Sequence, residues 1–172
     1  NSGVDIVSSW GVNAVSVVPD PTALMPREFY LRLMEQSSAS AQEYTYFFFI
    51  RNIKERISAL RKVITSAIRW NNVDGNYSIE EWLRNICAAR GIVTDSFHAM
   101  MMALKLEVPF VVITEQIGNV GMNDRFYSLL ERLHLLDRVV DKEHISDVPL
   151  ILAKKIEWVE VRALLEEYKS VG

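Results

Sequence analysis

One cysteine in a chain of 172 residues leaves no internal disulfide framework and no multi-thiolate metal site on which to build a fold, and it fits a reducing compartment. Glycine and proline are equally scarce, at seven and five, which excludes collagen-like and low-complexity architectures. Positive charge is not in excess either. Lys+Arg 19 against Asp+Glu 22 gives a net charge of −3, so no nucleic-acid partner is expected. No apolar run approaches the roughly 18 residues that a membrane-spanning helix needs. Walker loops, G-x-G-x-x-G and G-x-S-x-G are all missing. The chain opens at Asn1 without a methionine or a basic-then-apolar leader, and the expectation is therefore a piece of a longer polypeptide.

What the chain does have is apolar content, 49% of residues, enough to bury a sizeable core in one domain. Residues 14–18 form a short β-branched run that stops at Pro19-Asp20-Pro21. Pro26 then opens a helix in which Phe29, Tyr30, Leu33 and Met34 recur at helical spacing, and a serine-rich linker follows at 37–41. Residues 44–50 (YTYFFFI) are unbroken in hydrophobicity, the pattern of a central strand covered on both faces. Ile53, Ile57, Leu60 and Ile64 predict a helix with Lys54, Glu55, Arg61 and Lys62 outward, followed by a short strand at 65–68. Ser78-Ile79-Glu80-Glu81 has capping-box spacing and starts a helix that Gly91 closes. Strands at 92–94 and 110–114 flank a Met- and Ala-rich helix over 99–106, and Asp124 opens a helix with Phe126, Leu129, Leu130 and Leu133 inward. A last helix runs over 148–168. Strand and helix alternate throughout, which predicts an α/β fold: a Rossmann-like open parallel sheet with helices on both faces.

Such sheets bind ligands beyond the carboxyl ends of their strands, where helix N-termini aim N–H groups at whatever lodges there. Three places qualify: Arg51-Asn52 after the first buried strand, Asp95 to His98 after the second, and the loop from Glu115 to Arg125, which includes Asn123, after the third. Their guanidiniums, imidazole and hydroxyl suit a small phosphorylated or carboxylated molecule. Each residue also has a plainer role open to it. Asp95 or Ser96 fits as the N-cap of the next helix, His98 as a satisfied histidine, and Arg51 as a partner of Glu55. His134 and His144 are assigned no role. Met100, Met101 and Met102 read as core, and Cys87, on an apolar helix face with no ligand-spaced partner, reads as structural, so no metal site is expected.

In order and spacing, Tyr77-Ser78-Ile79-Glu80-Glu81-Trp82-Leu83, Ile92-Val93-Thr94-Asp95-Ser96-Phe97-His98, Val108-Pro109-Phe110-Val111-Val112-Ile113 and Asn123-Asp124-Arg125-Phe126-Tyr127-Ser128-Leu129-Leu130, with Leu136-Asp137-Arg138, resemble the C-terminal half of the polysaccharide pyruvyl transferases. The resemblance spans about Trp10 to Val140. It implies the second domain of a GT-B-like two-domain enzyme, in which residues 1–40 finish a preceding domain and cross over, 41–147 form the Rossmann-like domain, and 148–172 pack a terminal helix across the domain edge. It implies transfer of a pyruvyl group from phosphoenolpyruvate to two hydroxyls of a saccharide acceptor, forming a ketal in surface or exopolysaccharide biosynthesis with no further cofactor. His98 and Asp95 match the catalytic turn, and Arg51, Ser96, Asn123 and Arg125 fall where substrate is bound. Family members often carry arginine where Ser96 stands, so Arg51 or Arg125 supplies the cation instead. The partners implied are the missing N-terminal domain and, in the cytoplasm, a lipid-linked saccharide at the inner face of the membrane. A glycosyltransferase domain using a nucleotide sugar and a non-catalytic binding domain are the other readings. The chain alone is expected to be inactive, since a cleft between two domains needs both walls.

Overall fold

The computed structural model describes residues 2–34, 44–51, 53–70, 78–115 and 123–170. Five strands pair in it: β1 (Tyr44–Phe48), β2 (Ala67–Trp70), β3 (Gly91–Thr94), β4 (Phe110–Thr114) and β5 (Val139–Asp141). They form one sheet in the order β2-β1-β3-β4-β5, and all four pairings are parallel. The helices are α1 (Ser2–Ser9), α2 (Pro21–Leu24), α3 (Arg27–Met34), α4 (Ile53–Leu60), α5 (Ile79–Cys87), α6 (Phe97–Leu106), α7 (Asp124–Arg132), α8 (Val148–Ala153) and α9 (Trp158–Lys169). This is the Rossmann-like α/β architecture that the alternating pattern predicts.

The two-residue period of the strands divides the core. Tyr44, Tyr46, Ile92, Phe110 and Val112 face one side, packed with α3, α5, α6, α7 and α9. Phe47, Phe49, Val93, Val111, Ile113 and Val140 face the other, against Leu60 at the end of α4, Ile64 after it, and Val148 and Ile151 of α8. Both faces are therefore covered, as a parallel sheet requires. On the first face α6 is buried along its whole length except at His98. That is why its sequence is apolar all round, with Met100, Met101 and Met102 in the core.

Several expectations shift. The run at 14–18 pairs with no strand of the sheet; Val17 and Val18 are exposed, and Asp20 ends the segment by capping α2, its carboxylate accepting from the Thr22 amide at 2.9 Å. The strand placed at 65–68 lies two residues later, at the sheet edge. The strand at 44–50, expected at the centre, is interior but one place from that edge. Gly91 does not close α5, whose C-cap is Ala88; it begins β3, where a Cβ would stand 2.9 Å from Leu152 Cδ2. Cys87 is exposed rather than on a buried face. The three-residue β5 and the helix α1 have no counterpart in the sequence pattern read above. The final helix is two, because buried Arg138 donates to the carbonyls of Ile151 at 2.8 Å and Lys154 at 2.7 Å, giving the carbonyls at the end of α8 partners other than a further helical turn. The serine-rich linker and the turns at 71–76 lie outside the described residues.

Lys105 on α6 is also a buried cation, and its ammonium donates to the Met25 carbonyl at 2.8 Å. Burial, and after it the neighbouring Lys169, push its pKa down to about 8 from 10.5. A lysine depressed in this way binds fewer protons folded than unfolded between about 8 and 10.5, so its contribution makes the fold more stable as pH rises through that window. Lys105→Met is expected to remove about 1–3 kcal/mol of that rise, read from urea unfolding of both proteins at stepped pH; parallel stability curves would contradict the assignment.

Candidate functional site

In a sheet ordered this way the direction of strand addition reverses between β1 and β3, and the loops leaving these two strands part to form a crevice. Here side chains tie the two loops. Thr94 Oγ1 donates to the Phe48 carbonyl at 2.6 Å and accepts from the Ser96 amide at 2.9 Å. Asp95 reaches back across the reversal: Oδ1 accepts from the Ile50 amide at 2.7 Å and Oδ2 from the Arg51 amide at 3.1 Å. Arg56 on α4 completes the arrangement from below, Nη1 donating to Asp95 Oδ2 at 2.8 Å and Nη2 to Glu115 Oε1 at the end of β4. The guanidinium also lies 5.5 Å from the centre of the Phe49 ring.

Arg56 and Asp95 form a nearly dry pair, with side chains 6% and 8% exposed, whereas Glu115 is 45% exposed and contributes less. Three donors take both oxygens of Asp95, so its geometry is that of an anchor; a proton-transfer role would require one of those bonds to break. Arg56 has no place in the site read from sequence. Its signal is there nonetheless: Arg56, Leu60 and Ile64 share one helical face at steps of four, and Leu60 and Ile64 are buried.

Above this floor, at the ends of β1, β3 and β4, is a cavity of about 160 Å³ lined by Arg51, Arg56, Asp95, Glu115, Asn123 and Arg125. Three guanidiniums oppose two carboxylates, an excess of positive charge in a chain whose net charge is −3. Arg51 and Asn123 enter from loops. Arg125, in the first turn of α7, lies with its guanidinium 5.0 Å from the Phe97 ring centre and 5.7 Å from that of Phe126, a position set by aromatic faces. The structure thus brings together four of the six residues singled out from sequence: Arg51, Asp95, Asn123 and Arg125.

Ser96 and His98 are placed elsewhere. Ser96 is buried as the N-cap of α6, its Oγ accepting from the Ala99 amide at 3.4 Å. The helix starts at Phe97, two residues before its sequence expectation, so His98 falls within the first turn rather than in the loop. Its side chain, 57% exposed, does not line the small cavity, and Nε2 stands 3.7 Å from Asp20 Oδ2. Asp20 lines a second, larger cavity of about 430 Å³. Residues 116–122, with two glycines of the β4 loop, and Asn52 lie outside the described residues. Among the described residues no group of three or more His, Cys, Asp or Glu is placed to hold a metal, and no helix is long and apolar enough to cross a membrane.

A family model for polysaccharide pyruvyl transferase matches residues 1–116, so it covers β1 to β4, α6 and the Arg56–Asp95 pair, while Asn123 and Arg125 lie past its end. No curated protein and no solved structure matches the chain. Since Arg56→Met leaves a buried carboxylate without its cation, it is expected to cost about 3–5 kcal/mol in urea unfolding, against a change within about 0.5 kcal/mol for Arg51→Ala on the exposed loop. Equal effects of the two would show that the pair is not the anchor.

Proposed function

Because the chain belongs to the polysaccharide pyruvyl transferase family, we propose that it forms the donor-binding domain of an enzyme that moves the pyruvyl group of phosphoenolpyruvate onto two hydroxyls of a saccharide, as a ketal, in surface or exopolysaccharide biosynthesis. The observation that supports this most is the small cavity with its excess of guanidinium at the carboxyl ends of the strands. A donor carrying a carboxylate and a phosphate gains most where fixed cations and a pre-set floor meet it. Arg51 and Arg125 take the roles of carboxylate and phosphate ligands, and the Asn123 carboxamide adds a neutral donor. Asp95 and Arg56 hold the loops that carry these groups.

The chemistry has a definite proton balance. A proton adds to the donor's methylene carbon, a sugar oxygen bonds to the adjacent carbon and releases its proton, the C–O bond to phosphate breaks, and a second sugar oxygen closes the ketal. Two hydroxyl protons leave; one ends on the new methyl group and one on the released phosphate. His98 does not line the small cavity; as the exposed member of an otherwise buried helix, with Asp20 3.7 Å from its Nε2, it is assigned to the acceptor, taking up the proton that a sugar hydroxyl releases. A facing N-terminal domain completes the cleft, and work on a lipid-linked saccharide places the enzyme in the cytoplasm at the inner membrane face.

Calorimetric titration of the full-length protein with phosphoenolpyruvate tests the reading. Arg51→Ala and Arg125→Ala are each expected to weaken binding about tenfold or more, while His98→Ala binds the donor nearly as wild type but loses about 10²–10⁴-fold in turnover. No binding of phosphoenolpyruvate by the wild type, or a preference for UDP or GDP, would overturn it.

A further inference from the structure

Arg125 lines both cavities, so the small one and the large one share a wall. Their chemistry differs in sign. Around the larger cavity the described residues bring three carboxylates, Asp20, Asp124 and Glu131, against two guanidiniums, Arg125 and Arg132. A dianionic donor is disfavoured there and a neutral ligand rich in hydroxyls is not, because carboxylates are acceptors that a pair of hydroxyls satisfies well. The walls supply the rest of such a site: the Ser128 hydroxyl on α7, the Phe97 ring, and Tyr168 near the end of α9. The volume, about 430 Å³ against about 160 Å³, also suits a larger ligand than the donor.

Resting on the reading above, we infer that this second cavity, between residues 17–20, the start of α6, α7 and Tyr168, is the binding site for the neutral saccharide acceptor. Two further features fit. Asp20 is both a wall of this cavity and the residue 3.7 Å from His98 Nε2, so the imidazole lies next to one of the cavity's walls without lining the cavity itself. And Asp20 is held rather than loose: Thr22 donates to it through its amide, and the Asp20 amide itself donates to the Tyr168 hydroxyl at 3.4 Å, joining two walls of the cavity.

Saturation-transfer NMR on the full-length protein with the methyl glycosides of glucose, galactose and mannose provides the test, with phosphoenolpyruvate titrated in parallel. At least one glycoside is expected to bind. Ser128→Trp, which fills the cavity, and Glu131→Gln, an exposed change that leaves the core alone, are each expected to weaken that glycoside, by about tenfold or more for the first and several-fold for the second, with donor affinity unchanged. Arg51→Ala is expected to do the reverse, weakening the donor while the glycoside stays within twofold. Failure of phosphoenolpyruvate alone to bind would remove the functional reading but leave the saccharide site standing. Normal donor binding with no glycoside bound, or with glycoside binding indifferent to both Ser128→Trp and Glu131→Gln, would overturn the assignment of this cavity.

Discussion

The salt bridge between Arg56 and Asp95 is the constraint on which the site depends. Parallel strands end in loops, and loops that diverge at a reversal of strand order have nothing in the sheet ladder to hold them together. Here one carboxylate, arriving from β3, collects the Ile50 and Arg51 amides beyond β1 and a guanidinium from α4. A buried ion pair adds little stability over an apolar substitute, yet loss of one partner is costly, so what this pair contributes is position more than strength. Arg51 leaves its loop at a fixed point because its own amide is one of the bonds. Preorganised cations of this kind do not have to be gathered when an anion arrives.

Much of the fold was legible in the sequence for a simple reason: the strands of a doubly covered sheet must be continuously apolar, and YTYFFFI, the 92–94 run and the 110–114 run are. The capping box at Ser78 and Glu81 forms with both of its hydrogen bonds, since that motif is a local bargain between neighbours. What failed was decided by distant partners. β5 is three residues long and is recruited by pairing with β4, and the break between α8 and α9 comes from a side chain ten or more residues upstream. Neither leaves a periodic signal. Conversely, the β-branched run at 14–18 has strand composition but no partner among the described residues.

The site was legible by residue type and less so by role. Arg51, Asn123 and Arg125 line one cavity because all three follow the carboxyl ends of neighbouring parallel strands, a placement the order of elements already implies. Asp95 lies at the same cavity with its carboxylate taken by three protein donors, and nothing in one sequence tells such a carboxylate from one that accepts from substrate. Arg56 escaped because a charge on an amphipathic helix is normally read as outward, and only its spacing from Leu60 betrays the inward face. Asp20, between two prolines and capping a one-turn helix, marks in the sequence only the end of the 14–18 run, and its second relation, to His98, joins residues 78 apart in sequence.

The span of the family match separates the parts further. The anchor, Arg51 and His98 fall within residues 1–116; Asp124, Ser128, Glu131 and Tyr168, which wall the larger cavity, fall beyond it. Even so, the match does not part the two cavities cleanly: it also holds the Asp20 and Phe97 walls of the larger one, while Asn123 and Arg125 of the smaller one lie past its end. Arg125 stands at the seam, stacked between Phe97 from the matched part and Phe126 from the part that follows, and in contact with both cavities. An arginine so placed contributes the same positive charge to both cavities, so the difference between them comes from the rest of their walls: Arg51 and Arg56 with Asp95 and Glu115 on one side, Arg132 with Asp20, Asp124 and Glu131 on the other.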